Sequence, residues 1–126
     1  MKMYEVLSLR GVYDKIKSNK MSIKTLYKLN KIFEACEKEF EFYQKEFNKI
    51  LEEYGKKDEN GQFVYTDDGA QSIKIKEGLE SECQQKFNDL LNLDIEDIGI
   101  KLKLEDLDNI EMSFEEMRPL LYFIEE

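Results

Sequence analysis

Lys24, Lys28 and Lys31 recur at i, i+4 and i+7 in the stretch SIKTLYKLNKIF, with Tyr27 and Asn30 interleaved. On a helix that spacing sets three ammonium groups along one side. Ammonium groups so placed can hold phosphate oxygens, and Tyr27 offers a ring on which a base can stack. The unpaired N–H groups at Ile23 to Thr25, where such a helix would start, add positive potential for an anion. Arg10 belongs to the same basic run. From Arg10 to Lys31 seven basic residues face one acid, Asp14, a local +6 in a chain of net charge −9, so the remainder carries −15. Such a dipolar chain repels nucleic acid over most of its surface while offering one cationic patch. A small anion fits it better than a duplex. The candidate ligand-binding set is therefore Arg10, Lys24, Tyr27, Lys28 and Lys31; the same lysine spacing also fits a solvated helix face, and the sequence leaves both readings open.

Other chemistries find less support. The chain has no histidine, which removes Ser-His and Cys-His nucleophiles, histidine-containing zinc sites and imidazole acid-base catalysis together. Cys36 and Cys83 fall on apolar faces of expected helices, where a reduced cysteine acts as a small hydrophobe rather than half of a disulfide. The carboxylate pairs Asp67 with Asp68 and Glu105 with Asp106 are what chance places in a chain with 28 acids. TDDGAQSIKIKE lacks the alternating ligands and the sixth-position glycine of a calcium loop. Phosphate-binding and dinucleotide-binding glycine motifs and C-x-x-C are missing. The expectation is no catalytic residue, no metal, no cofactor and no enzyme.

These residues need elements to position them. From Leu26 the apolar positions run Leu26, Leu29, Phe33, Cys36, Phe40, Tyr43, Phe47, Ile50, Tyr54, an unbroken alternation of three and four. Ser22 is a helix N-cap, with Met21 and Leu26 as a hydrophobic staple, and Gly55 stands where a C-terminal glycine cap belongs. The long helix so defined, about 22–54, would run about 48 Å at 1.5 Å per residue. A domain of this length has a radius of gyration of about 14 Å, hence a body about 36 Å across. A helix longer than its domain points to a second copy, with Phe33, Phe40, Phe42, Tyr43 and Phe47 as the oligomer interface. Phe42 lies off the stripe and widens it.

Around that helix the sequence predicts one α+β domain over 1–126, mainly α with a small β element. A first helix runs from about Met3 to Lys17, with Leu9, Val12, Tyr13 and Ile16 at helical spacing. QFVY and SIKIK read as a hairpin over about 62–76, then a helix over about 77–92 as an antiparallel partner. DIGIKLKL alternates as a strand over about 98–104, completing a three-stranded sheet. Ser113 with Glu116 forms a capping box opening a C-terminal helix over about 113–125, which Pro119 should kink or cut to a short first segment. No run of about 18 apolar residues exists, and MKMYEVLSLRGVYDK lacks a secretory h-region, so the expected location is a cytoplasm and no membrane.

The segments MSIKTLYKLNKIF, YGKKDENG, SIKIKEG, NDLLNLDIEDI and LLYFIEE, in that order, resemble a family of small uncharacterised proteins encoded by tailed phages and prophages of Gram-positive bacteria. The insertion QFVYTDDGAQ departs from that pattern. The resemblance implies the cytoplasm of the infected bacterial host and a protein that works by stoichiometric binding. The leading expectation is a homo-oligomer that antagonises host antiviral defence by sequestering a small nucleotide-derived immune signal. Direct inhibition of a host defence protein, or a role in tail or capsid assembly, are the alternatives.

Overall fold

The computed structural model describes residues 1–16, 19–66, 72–108 and 110–125. These form four α-helices, α1 (Met3–Ile16), α2 (Ile23–Tyr54), α3 (Glu80–Leu91) and α4 (Phe114–Met117), with 3-10 helices at Leu104–Leu107 and Arg118–Phe123. They divide into two compact units, one of residues 1–41 and 93–126, the other of residues 42–92.

In the first unit α1 buries Met3, Val6, Leu9, Val12 and Ile16, a stripe three to four residues apart that makes the helix amphipathic. Its start is tied to the segment that enters from residue 93: Met3 N–H donates to the Leu93 carbonyl and Ile95 N–H to that of Met1, with a Lys2–Asp94 ion pair of 2.7 Å alongside. α2 starts one residue after Ser22, whose hydroxyl accepts the Thr25 N–H at 3.2 Å and donates to the Thr25 hydroxyl at 3.0 Å. Leu29, Phe33 and Cys36 of the apolar stripe are buried, and so is Ile32, which lies beside it. Leu102, Leu107, Ile110, Leu120 and Phe123 complete this core. Leu102 forms a single parallel bridge with Ile124, its N–H donating to the Phe123 carbonyl and its carbonyl accepting from Glu125.

The second unit holds the remainder of α2, α3 and the segment between them. Phe47 meets Phe87 with ring centroids 5.2 Å apart, and Tyr43 meets Phe47 at 5.7 Å. Cys83, Leu90 and Tyr54 are buried.

The expected small β element is overturned: among the described residues there is no strand, no β-hairpin and no three-stranded sheet, and the chain is mainly helical. Two local causes are visible. In DIGIKLKL, Gly99 has φ +80° and its N–H donates to the Asp97 side chain, so the alternation breaks before Leu102, and the 3-10 helix begins at Leu104. In the span 54–76, single antiparallel bridges join Gly55 to Ile75, Lys57 to Phe63 and Tyr65 to Ile73. The backbone bonds at its centre form a closed cycle: Lys56 N–H to the Lys74 carbonyl at 2.8 Å, Lys74 N–H to Val64 at 2.7 Å, Val64 N–H back to Lys56 at 2.9 Å. Each segment passes its pairing from one neighbour to the other after one bridge, which satisfies the backbone without any ladder. The hairpin turn expected at 67–71, with Asp67 and Asp68, lies outside the described residues.

Glycine and proline set the remaining boundaries. Gly78 has φ +81°, and α3 starts after it. Ser113 caps α4, accepting the Glu116 N–H at 3.2 Å, but α4 gives way to 3-10 geometry at Arg118, because Pro119 has no N–H to continue an α-helix. Gly55 follows α2 without the positive φ of a glycine cap; that conformation occurs at Gly61, Gly78 and Gly99.

Candidate functional site

The cap at Ser22 fixes the register of the first turns of α2, and with it the placing of Lys24, Tyr27, Lys28 and Lys31. Tyr27 is 63% exposed and Ile23, one turn before it, is 86% exposed. The Lys31 ammonium lies 5.5 Å from the centroid of the Tyr27 ring, a cation–π contact. Lys24 and Lys31 make no direct ion pair with a carboxylate among the described residues.

Lys28 is different. Its ammonium lies 3.3 Å from Oδ2 of Asp106, and the two side chains are only 21% and 15% exposed. The same oxygen accepts the Lys103 backbone N–H at 2.9 Å, which closes the start of the 3-10 helix Leu104–Leu107. That backbone bond, and then the Lys28 bond and the Lys28 and Lys24 charges, hold the Asp106 carboxyl below its usual range against the opposing effect of burial. Two of the three lysines thus act on one internal carboxylate.

Arg10 is not part of this arrangement. Its Nε is 3.0 Å from Glu37 Oε1, and its guanidinium lies 3.6 Å from the centroid of the Phe40 ring. Glu37 is nine positions after Lys28, and at about 100° per residue that is the opposite side of α2. There an open depression of about 460 Å³ is lined by Leu7, Arg10, Gly11, Tyr13, Asp14 and Phe40.

The five aromatic residues expected at a subunit contact are placed as follows. Phe33 is 7% exposed and meets Tyr13 at 4.6 Å between centroids. Phe40 lies under Arg10, and Tyr43 and Phe47 are half-buried. Phe42 is 44% exposed. Four of the five therefore find at least part of their cover within the chain, and Phe42 presents most of its ring.

The cysteines are poor nucleophiles here. Burial, followed by the charges of Glu37 and Glu39, pushes the Cys36 thiol up to about 12, and burial raises Cys83 as well. Among the described residues no group of three or more Cys, Asp or Glu side chains is arranged to hold a metal, and no helix is long and apolar enough to cross a membrane.

Sequence reasoning missed Asp106, which was passed over as one of many acids. Its local signal is its place as the third residue after Lys103, where an acid returns to cap a turn; its pairing with Lys28, 78 residues away, has none. Comparison with family models, curated proteins and solved structures finds no match to the chain.

Proposed function

We propose that this chain is a non-enzymatic binding protein whose contact face is the N-terminal part of α2, and that it takes a small nucleotide-derived anion there. The observation that carries the reading is the exposed Tyr27 ring set between Lys24 and Lys31, with the Lys31 ammonium against it. The ring supplies a stacking surface for a base and the ammonium groups supply charge for phosphates. Arg10 drops out of the site on geometry. With the phage-family resemblance of its segments, the biological role proposed is antagonism of host defence in the cytoplasm of an infected bacterium, by stoichiometric sequestration of a nucleotide signal. Phe42 is the centre of any contact through which copies of the chain would associate.

Calorimetric titration with a panel of nucleotides, including ADP, ADP-ribose and cyclic dinucleotides, tests the site. A base stacked on an aromatic ring is worth about 1–3 kcal/mol, so Tyr27→Ala weakens a bound member of the panel by about fivefold to 150-fold. Lys31→Gln weakens it too, and added salt weakens it in both chains. No binding across the panel refutes the reading. A host defence protein or virion component as partner is the second reading, and the exposure of Ile23 beside Tyr27 favours it. Ile23→Asp separates the two, since it removes a protein contact while leaving stacking and charge in place.

A further inference from the structure

We propose that Asp106 is a built-in competitor of the ligand at this face: it holds Lys28 in reserve, and an incoming phosphoryl group takes Lys28 over from it. This rests on the function proposed above and adds its regulation. Three observations carry it. The Lys28–Asp106 pair is the most enclosed ion pair among the described residues; each of the others has at least one side chain more than half exposed. It therefore neutralises the middle one of the three lysines on the first turns of α2, about 100° around the helix from Tyr27. Next, the two bonds to Asp106 Oδ2 are unequal. The Lys103 N–H lies at 2.9 Å, within the usual range for a charge-assisted bond, whereas the Lys28 ammonium at 3.3 Å lies beyond it. Lys28 can leave while Asp106 stays in place as a cap. Finally, Leu107 is buried and anchors the 3-10 helix, so the exchange needs only the four-carbon stem of Lys28 to swing, with no unfolding of the segment.

The chemistry favours a phosphoryl group over the carboxylate. It brings up to two charges and three acceptor oxygens, against one charge and two oxygens, of which Oδ2 already accepts a backbone N–H. Ligands ending in a phosphate or pyrophosphate gain from the exchange, whereas nucleosides with no phosphate do not.

The test is a double-mutant cycle on the full chain, titrated calorimetrically with ADP and with inorganic pyrophosphate. Asp106→Asn keeps an oxygen for the Lys103 N–H but lowers its hold on Lys28. It tightens ADP by about tenfold, the worth of one charge-assisted hydrogen bond made without first giving up another. Lys28→Gln abolishes that gain, so Lys28→Gln and the double variant bind alike. Asp108→Asn, which removes a nearby exposed acid, leaves affinity within about twofold of wild type at ordinary salt. The proposal is overturned if Asp106→Asn binds as wild type does, or if its gain survives in the Lys28→Gln background. Should Asp106→Asn fail to fold, Lys28→Gln alone decides: affinity equal to wild type means that Lys28 is never recruited. Binding by wild type with no effect of Asp106 refutes the reserve cation alone, whereas no binding of either probe by any chain removes the nucleotide site and the reserve cation together.

Discussion

Replacing Gly55 by alanine sets two effects of opposite sign against each other. Alanine is the better helix former by about 1 kcal/mol, and Gly55 directly follows the last turn of α2, so propensity alone predicts a gain. Packing predicts the reverse. A Cβ at Gly55 would lie 2.5 Å from the Leu51 carbonyl oxygen and 2.7 Å from Cε1 of Phe63, where ordinary contact begins at 3.4 Å. The Leu51 carbonyl is backbone and accepts the Gly55 N–H at 2.7 Å, so it cannot retreat without lengthening that bond. The Phe63 ring has Lys57 over it at 5.1 Å and a backbone bridge to the same residue, so its movement disturbs the three-way junction. Overpacking of this kind costs about 1–3 kcal/mol, which at mid-range outweighs the propensity gain. The expected net loss is up to about 2 kcal/mol, about 1 kcal/mol at mid-range, which is a fall in Tm of about 5 °C for a chain of this size. Gly11 is the internal control. It lies within α1 with nothing within 4 Å of its would-be Cβ, so Gly11→Ala gains stability, by about 0.5–1 kcal/mol. Urea unfolding of the two variants beside wild type is the assay. If Gly55→Ala is as stable as wild type or more so, the close approach is not what demands glycine there and the reasoning fails.

Ser22→Ala removes the side-chain acceptor of the Thr25 N–H and should cost about 1 kcal/mol in the same assay, with Ser22→Asp retaining most of it. Tyr54 is buried, hydrogen-bonded to Glu82 and near the charge of Glu53, and its hydroxyl is pushed from 10.0 up to about 12. A group whose folded pKa is raised favours the folded state fully below its unfolded value, so this contribution is intact below pH 10 and is lost as the pH rises towards about 12. The pH titration of stability should therefore fall over that window, and Tyr54→Phe should fall less. Both thiols should resist a disulfide reagent at pH 8 in the native chain and react at once in urea, because Cys36 and Cys83 are buried and protonated. Sedimentation equilibrium tests association: if copies pair through α2, Phe42→Glu shifts the chain towards the monomer, and an unchanged mass removes Phe42 from the contact.

The sequence signals that carried through are those complete within a few turns. Ser22, the alternation of three and four from Leu26 to Tyr54, and the N-cap at Ser113 each depend on neighbours within four residues, and the helix geometry reads them directly. The β expectation failed where the outcome depended on partners. Ile98 to Leu104 alternates as a strand should, but Gly99 turns to positive φ against Asp97, and among the described residues only Leu102 forms a β-bridge, with Ile124 more than twenty residues later. Residues 54–76 do carry extended pairing, yet no local pattern distinguishes a two-stranded ladder from a closed cycle of three segments. The site divides in the same way. The basic spacing on α2 is local and legible, whereas the exclusion of Arg10 follows from how α1 lies on α2, and the capture of Lys28 by Asp106 joins positions far apart in the chain.

That capture bears on why a folded chain leaves Tyr27 in water. Burying such a ring would stabilise the fold by about 1.5–3 kcal/mol, as the chain does with Phe33, which packs against Tyr13 two turns along the same helix. Tyr27 instead keeps its face exposed beside the ammonium of Lys31, while Lys28, its immediate neighbour, is held by Asp106. The Lys28 contact at 3.3 Å is the longer of the two that Asp106 Oδ2 makes, and the backbone bond from Lys103 at 2.9 Å also positions Asp106. On the reading proposed above, Asp106 neutralises Lys28 until a ligand arrives, while the Tyr27 ring and the Lys31 ammonium stay open to it.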